Sequence, residues 1–330
     1  MKPLEFKCDS GTYKGIDNTH NSFHKTGKFS TLTQGYRVED SKPVIIKQIK
    51  NIETFGDDVN IRVIKEFLCN LHTLHPSIIQ TYEVIKNDEG CFIIREFIEG
   101  TDLKTLNKNK NTTYFSTPDF TAKVGIQVCD ILKELHKQAI FHRDIKPANI
   151  LIEHKQGKTH PDYHNPKVRL IDFELAQLHG HSIFNFEKTP FALGYSAPEQ
   201  LLRFQNLIYP GSDLFGLAVT LYEFLAKKMA FHHSNPELLM NLQLNHPLIK
   251  HVRIPYELFA ILHKATQKQA FQLPPNRYST EEKDLILSKG CELRFNRAEE
   301  MKAALEGFLL HYDALPPANN IFGKIRAFFK

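Results

Sequence analysis

At 330 residues the chain is long enough to bury one large core or two moderate ones. With 42% hydrophobic and 24% charged residues it has a globular composition, which excludes a disordered or fibrous chain. The net charge of +5 is mild, and without a basic stripe interleaved by aromatics it speaks against a nucleic-acid partner.

The start, Met1-Lys2-Pro3-Leu4-Glu5, has no secretory h-region, and no run of about eighteen apolar residues follows, so neither a leader nor a membrane span is expected. Residues 1–24 are polar, Asn- and His-bearing, and form an amino-terminal extension without a strong motif. Residues 25–97 then read as strands plus one helix, a small β-rich lobe. Lys25 to Leu32, with Gly27 inside, has the character of a hairpin. Val44-Ile45-Ile46-Lys47 is a β-branched strand whose alternation puts Ile45 and Lys47 on one face and Val44 and Ile46 on the other. Asp57-Asp58 offers a helix cap, after which Ile64, Phe67, Leu68 and Leu71 recur at helical spacing, with Glu66 on the flank of that apolar face.

Thr117-Pro118-Asp119 opens a long helix by cap and early proline, cored by Val124, Val128, Ile131, Leu132 and Leu135. It delivers the chain to Phe141-His142-Arg143-Asp144-Ile145-Lys146-Pro147-Ala148-Asn149-Ile150-Leu151, where an acid, a cation and an amide stand at fixed offsets between apolar flanks. Phosphoryl transfer needs such a set: Asp144 to accept the proton of an attacking hydroxyl, Lys146 to neutralise phosphate charge, Asn149 to bind magnesium. Lys158 to Pro166 reads as a surface insertion in a hairpin. The five cysteines (Cys8, Cys69, Cys91, Cys129, Cys291) are scattered, without metal-ligand spacing, and suit reduced thiols in a cytoplasmic protein. The tail, residues 313–330, ends in Ile321-Phe322-Gly323-Lys324-Ile325-Arg326-Ala327-Phe328-Phe329-Lys330. This basic amphipathic pattern fits either a weak membrane-surface contact or a helix docked on the larger lobe.

The segment around Asp144 resembles the catalytic loop of the eukaryotic-like (Hanks-type) serine/threonine protein kinases, and further motifs follow in the family's order. Asp172-Phe173-Glu174 resembles the magnesium-binding motif, and Val44–Lys47 resembles the strand that carries the phosphate-binding lysine. Arg95-Glu96-Phe97-Ile98-Glu99-Gly100 is similar to the adenine-binding hinge, and Ser196-Ala197-Pro198-Glu199 to the motif closing the activation segment. The resemblance implies an α+β, two-lobed protein kinase fold with a C-lobe over residues 98–312, ATP and Mg2+ as cofactors, and a protein substrate. It implies that Lys47, paired with Glu66, positions the phosphates, and that Asn149 and Asp172 hold the metal. Gly27, Leu32, Ile45, Glu96, Ile98, Asp102 and Leu151 surround the nucleotide in this reading. Asp213 holds the backbone of the catalytic loop, and Glu199 takes a structural arginine, Arg294 or else Arg277. Arg143 is the expected receiver of a phosphorylated activation loop, for which Ser182 and Thr189 are acceptors. Thr189 has a second role open to it, as the threonine of the substrate loop.

The chain departs from the family's pattern in several places. Of three loop glycines only Gly27 survives, Ile45 replaces a small alanine, and Glu174 stands where a glycine is usual. Asn70, Thr81 and Arg95 fall where the family has apolar side chains, suggesting a polar network behind the nucleotide, with an Arg95 pointing to solvent as the alternative. Rival readings are a pseudokinase scaffold, a kinase-fold enzyme acting on a lipid or small molecule, and a nucleotide transferase. The carboxy-terminal signature around Arg294, the absence of Trp and the many Asn, Lys and His residues suggest a bacterial protein, with secretion into a host cell as an open route.

Overall fold

The computed structural model describes residues 4–16, 25–26, 30–49, 61–108, 116–178, 181–182 and 192–314. The chain divides into two compact units, the first Met1–Glu99 with Ser182–Thr189 and the second Gly100–His181 with Pro190–Lys330. The class is α+β, as expected: one unit is mainly antiparallel sheet, the other mainly helical.

The first unit holds β1 (Glu5–Cys8), β2 (Gly11–Gly15), β3 (Lys25–Thr26), β4 (Ser30–Arg37), β5 (Pro43–Ile49), α1 (Ile61–Asn70), β6 (Thr81–Asn87) and β7 (Gly90–Glu96). The sheet runs β1-β2-β4-β5-β7-β6, with β3 pairing β4 off that path. On one face Val44 and Ile46 of β5 pack with Phe92, Ile94, Phe6 and Tyr13. The β1–β2 hairpin lies in the stretch read as an extension without a motif, although Leu4, Phe6 and Cys8 alternate with polar residues at strand period. Phe6 and Tyr13 point inward at strand spacing and cover a face of the sheet. Gly35 permits this: a Cβ there would lie 2.4 Å from the Lys14 carbonyl oxygen.

The hairpin is also tied to α1 through a buried acid. Glu83, 2% exposed, accepts from the Ser10 hydroxyl at 2.9 Å and pairs with Lys65 Nζ of α1 at 2.6 Å. Lys65→Met removes the cation from a carboxylate that stays buried. We expect a loss of about 1–3 kcal/mol in denaturant unfolding, and an unchanged midpoint would show that Ser10 and the Val84 amide suffice.

The second unit begins with β8 (Gly100–Asp102), α2 (Leu103–Lys108), α3 (Pro118–Lys137) and β9 (Ile140–Phe141). The strands β10 (Ile150–Glu153), β11 (Val168–Leu170), β12 (Gln177–Leu178) and β13 (His181–Ser182) follow. Then come α4 (Pro198–Leu201), α5 (Pro210–Ala226), α6 (Pro236–Asn245), α7 (Tyr256–Ala265), α8 (Thr280–Glu292) and α9 (Ala298–Ala314). Thr117 caps α3 as its sequence predicts, its hydroxyl accepting from the Phe120 amide at 3.1 Å. α3 packs on α5 and α9, and α5 is buried along nearly its whole length, which makes it the axis of this unit. α8 is started by Ser279, whose side chain and that of Glu282 satisfy each other's backbone amides. Among the described residues no helix is long and apolar enough to cross a membrane. The tail pattern at 321–330 lies outside the described residues.

Candidate active site

The loop from His142 to Asn149 is shaped from below by the first turn of α5. Asp213, 1% exposed, accepts from the His142 amide at 2.9 Å and the Arg143 amide at 2.7 Å. Its Oδ2 also meets His136 Nε2 of α3 at 2.9 Å. Burial alone would raise this carboxyl, but the His136 bond and the surrounding donors hold it below the ordinary carboxylate range. Gln200 steadies the loop from the other side, donating to the Arg143 carbonyl at 2.9 Å. Arg143 itself sits at φ 65°, a left-handed conformation uncommon for a side-chain-bearing residue and held here by those bonds. Gly216 of α5 lets the helix approach, since a Cβ would stand 3.0 Å from the Ile145 carbonyl oxygen.

On this support the three polar side chains converge. Asp144 is 6% exposed, and its Oδ2 accepts from Lys146 Nζ at 2.6 Å and Asn149 Nδ2 at 2.8 Å. Asn149 Nδ2 also donates to the Asp144 carbonyl at 2.8 Å, so its amide nitrogen is turned toward Asp144 and its oxygen faces the other way. Asp144 Oδ1 is buried and has no hydrogen-bond partner among the described residues. Asp144 thus keeps one carboxylate oxygen that no described group engages and that can accept a proton or hydrogen bond.

Asp172 follows β11 at φ 74°. The neighbouring Phe173 ring packs on the His142 ring at 4.6 Å, and His142 Nε2 meets the Ile171 carbonyl at 3.2 Å. Burial lowers the His142 pKa, which keeps the ring neutral and suited to donating through Nε2. Asn149 Oδ1 and the Asp172 carboxylate are hard oxygen donors of the kind magnesium takes. One or two protein oxygens completed by substrate phosphates are the usual provision for that ion.

In the first unit Lys47 is 7% exposed on β5, opposite Leu32 of β4 and Ile93 of β7, and Ile45 stands opposite Gln34 and Arg95. Glu66 is exposed and makes no ion pair with Lys47, which corrects the expected pairing. The reason is angular. The buried stripe of α1 is Ile64 and Leu68, and a residue two positions from each lies about 200° round the helix, on its solvent side rather than its flank. Arg95 is 7% exposed, which rules out the solvent-facing alternative, and Thr81 lies opposite it in the β6–β7 register. Asn70 does not join them: it is exposed and donates to the Glu66 carbonyl at 2.8 Å.

The remaining candidates are placed as follows. Glu96 accepts from the Gln80 amide at 2.7 Å, and Ile98 is half-buried. Asp102 uses both oxygens to cap α2, accepting from the Thr105 amide and hydroxyl at 2.8 Å each. Leu151 pairs with Asp102 across β8–β10 and packs where a side chain at Gly100 would sit. Arg143, the expected phosphate receiver, is 6% exposed, and burial pushes its pKa down to about 9. Ser182 lies in β13, while Gly27 and Thr189 fall outside the described residues. Of the two candidate arginines Arg294 meets Glu199, through Nη1–Oε1 at 3.0 Å and Nη2–Oε2 at 2.8 Å, whereas Arg277 is exposed. His136 and Gln200 were missed by the sequence reading. The only signal for Gln200 was its position directly after Glu199, and nothing local marks His136.

A family model described as "Protein kinase domain" matches residues 26–304. Among curated proteins, the serine/threonine-protein kinase cds1 of Schizosaccharomyces pombe is 30% identical over 235 residues, 66% of this chain and 47% of that protein. The serine/threonine-protein kinase PknF of Mycobacterium tuberculosis is 29% identical over 62% of this chain and 41% of its own length. For the serine/threonine-protein kinase PrkC of Bacillus subtilis the figures are 28%, 63% and 30%. The chain thus spans less than half the length of these relatives.

Proposed function

The chain belongs to the protein kinase domain family, and on that premise we propose that it is a serine/threonine protein kinase that transfers the γ-phosphoryl group of ATP to a protein hydroxyl. The observation that carries this reading is the open Oδ1 of Asp144 beside an Oδ2 held by Lys146 and Asn149. In the transfer the acceptor oxygen bonds to the γ-phosphorus, the bond to the β–γ bridging oxygen breaks, and the hydroxyl proton passes to Oδ1. Lys146 stands within one carboxylate of that oxygen and balances charge on the transferring group. Asn149 and Asp172 would hold magnesium, which when bound would neutralise phosphate charge, and Lys47 would take the α- and β-phosphates.

Incubating the full chain with magnesium and ATP, alone and with casein, and reading intact masses tests the proposal. A phosphate gained on the chain or on casein is the expected result. A gained nucleotide marks a nucleotide transferase. No gain on either protein, with ATP binding intact, marks a scaffold.

A further inference from the structure

Ala192, Tyr195 and Ser196 pack beside Arg143, Asp144 and Ile145, lining with them one small gap against Ser212, Asp213 and Gly216 of α5. The segment thus lies next to the residue that takes the hydroxyl proton in the reading above. It runs as a turn ahead of α4, without ladder partners for its backbone, so other groups must hold it. One side chain does so at two points. Gln243, in the last turn of α6 and 0% exposed, accepts from the Gly194 amide through Oε1 at 2.8 Å. Its Nε2 donates to the Ser196 carbonyl at 3.1 Å. Between these points the Tyr195 hydroxyl donates to Glu223 of α5.

The local geometry admits little slack. Gly194 has φ 101°, which side-chain-bearing residues rarely adopt, and a Cβ there would lie 2.8 Å from Met229 Cε. Gln243 is itself anchored, its carbonyl accepting from Lys268 Nζ at 2.7 Å. That ammonium lies 4.2 Å from the Phe231 ring centroid and 5.4 Å from that of Phe215. Burial, and then Arg294, push the Lys268 pKa down to about 7. A lysine in so unfavourable a place is held by what it touches, the Gln243 carbonyl and two rings.

We propose that Gln243 is a positioning residue for the acceptor polypeptide: by clamping Gly194 and Ser196 it sets the line along which a substrate backbone passes Asp144. The inference rests on the phosphotransfer reading above. A side chain that merely filled a buried gap would affect stability and leave the relation between acceptor and nucleotide unchanged. A clamp on this segment acts on the acceptor alone.

The test compares the full chain with Gln243→Leu and Gln243→Glu, using magnesium, ATP and a degenerate serine/threonine peptide mixture. Leu removes both bonds at similar volume. Glu keeps the acceptor for Gly194 and sets an oxygen against the Ser196 carbonyl. The expected result is an acceptor KM raised about tenfold or more, the size of one lost buried hydrogen bond. The KM for ATP should stay unchanged, the peptide preference should alter, and Gly194 amide exchange should quicken. If one variant fails to fold, the other carries the comparison, and exchange at Gly194 is read on whichever is folded. An acceptor KM and peptide preference equal to the parent's in a folded variant overturn the inference, as does an equal rise in both KM values. A parent chain that phosphorylates nothing overturns the phosphotransfer reading itself, a separate outcome.

Discussion

Asp144→Asn lowers phosphoryl transfer by about 10²–10⁴-fold, the usual contribution of a positioned general base, while leaving the fold and nucleotide binding intact. The amide oxygen can still accept from Lys146 and Asn149, as Oδ2 does now. The loop therefore keeps its shape. At the position of Oδ1 the variant presents an NH2 group, which cannot take the proton of an attacking hydroxyl. Initial rates with saturating ATP, alongside a thermal melt and nucleotide titration, separate the two effects. A variant that transfers at the parent's rate would show that the open oxygen has no part in the chemistry.

Arg294→Met is expected to be the most destabilising single change in the helical unit. The guanidinium is bidentate to Glu199, which is 0% exposed and also accepts from the Ser212 hydroxyl at 2.6 Å. It is flanked by the rings of Tyr209 and Phe215 at 5.5 and 5.7 Å. Removing it strands a buried carboxylate, which costs about 3–5 kcal/mol, or roughly 6–20 °C in Tm for a unit of this size. Changing both partners, Arg294→Met with Glu199→Leu, should recover much of the loss, because the penalty belongs to the unpaired charge rather than to the pair. A single variant melting within about a degree of the parent would mean that Glu199 finds water or another donor.

The fold class and the core of the candidate site were legible because their signals are local. Asp144, Lys146 and Asn149 lie within six residues of one another, so the turn at Pro147 brings them together whatever surrounds it. The alternation of Val44 to Lys47 is a property of extended backbone and predicts its two faces without knowledge of a partner strand. Glu66 shows the limit of that kind of reading. Its distance from Ile64 and Leu68 already placed it on the far side of α1, and the resemblance to a family position outweighed the helix geometry. Asn70 was misassigned the same way: it satisfies its own helix end rather than joining Arg95.

By itself the sequence determined the clustering of Asp144, Lys146 and Asn149, the two faces of β5 and the cap of α3, since each depends on spacing within one short stretch. Tertiary structure alone decided the rest. Arg294 was the first candidate to meet Glu199 and Arg277 the second, and it is packing that brings Arg294 to that carboxylate, 95 residues away. Gln243 reaches Gly194 across 49 residues and Ser10 reaches Glu83 across 73, whereas the Asp213 bonds to His142 and Arg143, across 71 and 70, had been indicated by the resemblance and not by local spacing. A buried polar group must find a partner, but which one it finds is set by the path of the whole chain, and no window of sequence contains that path.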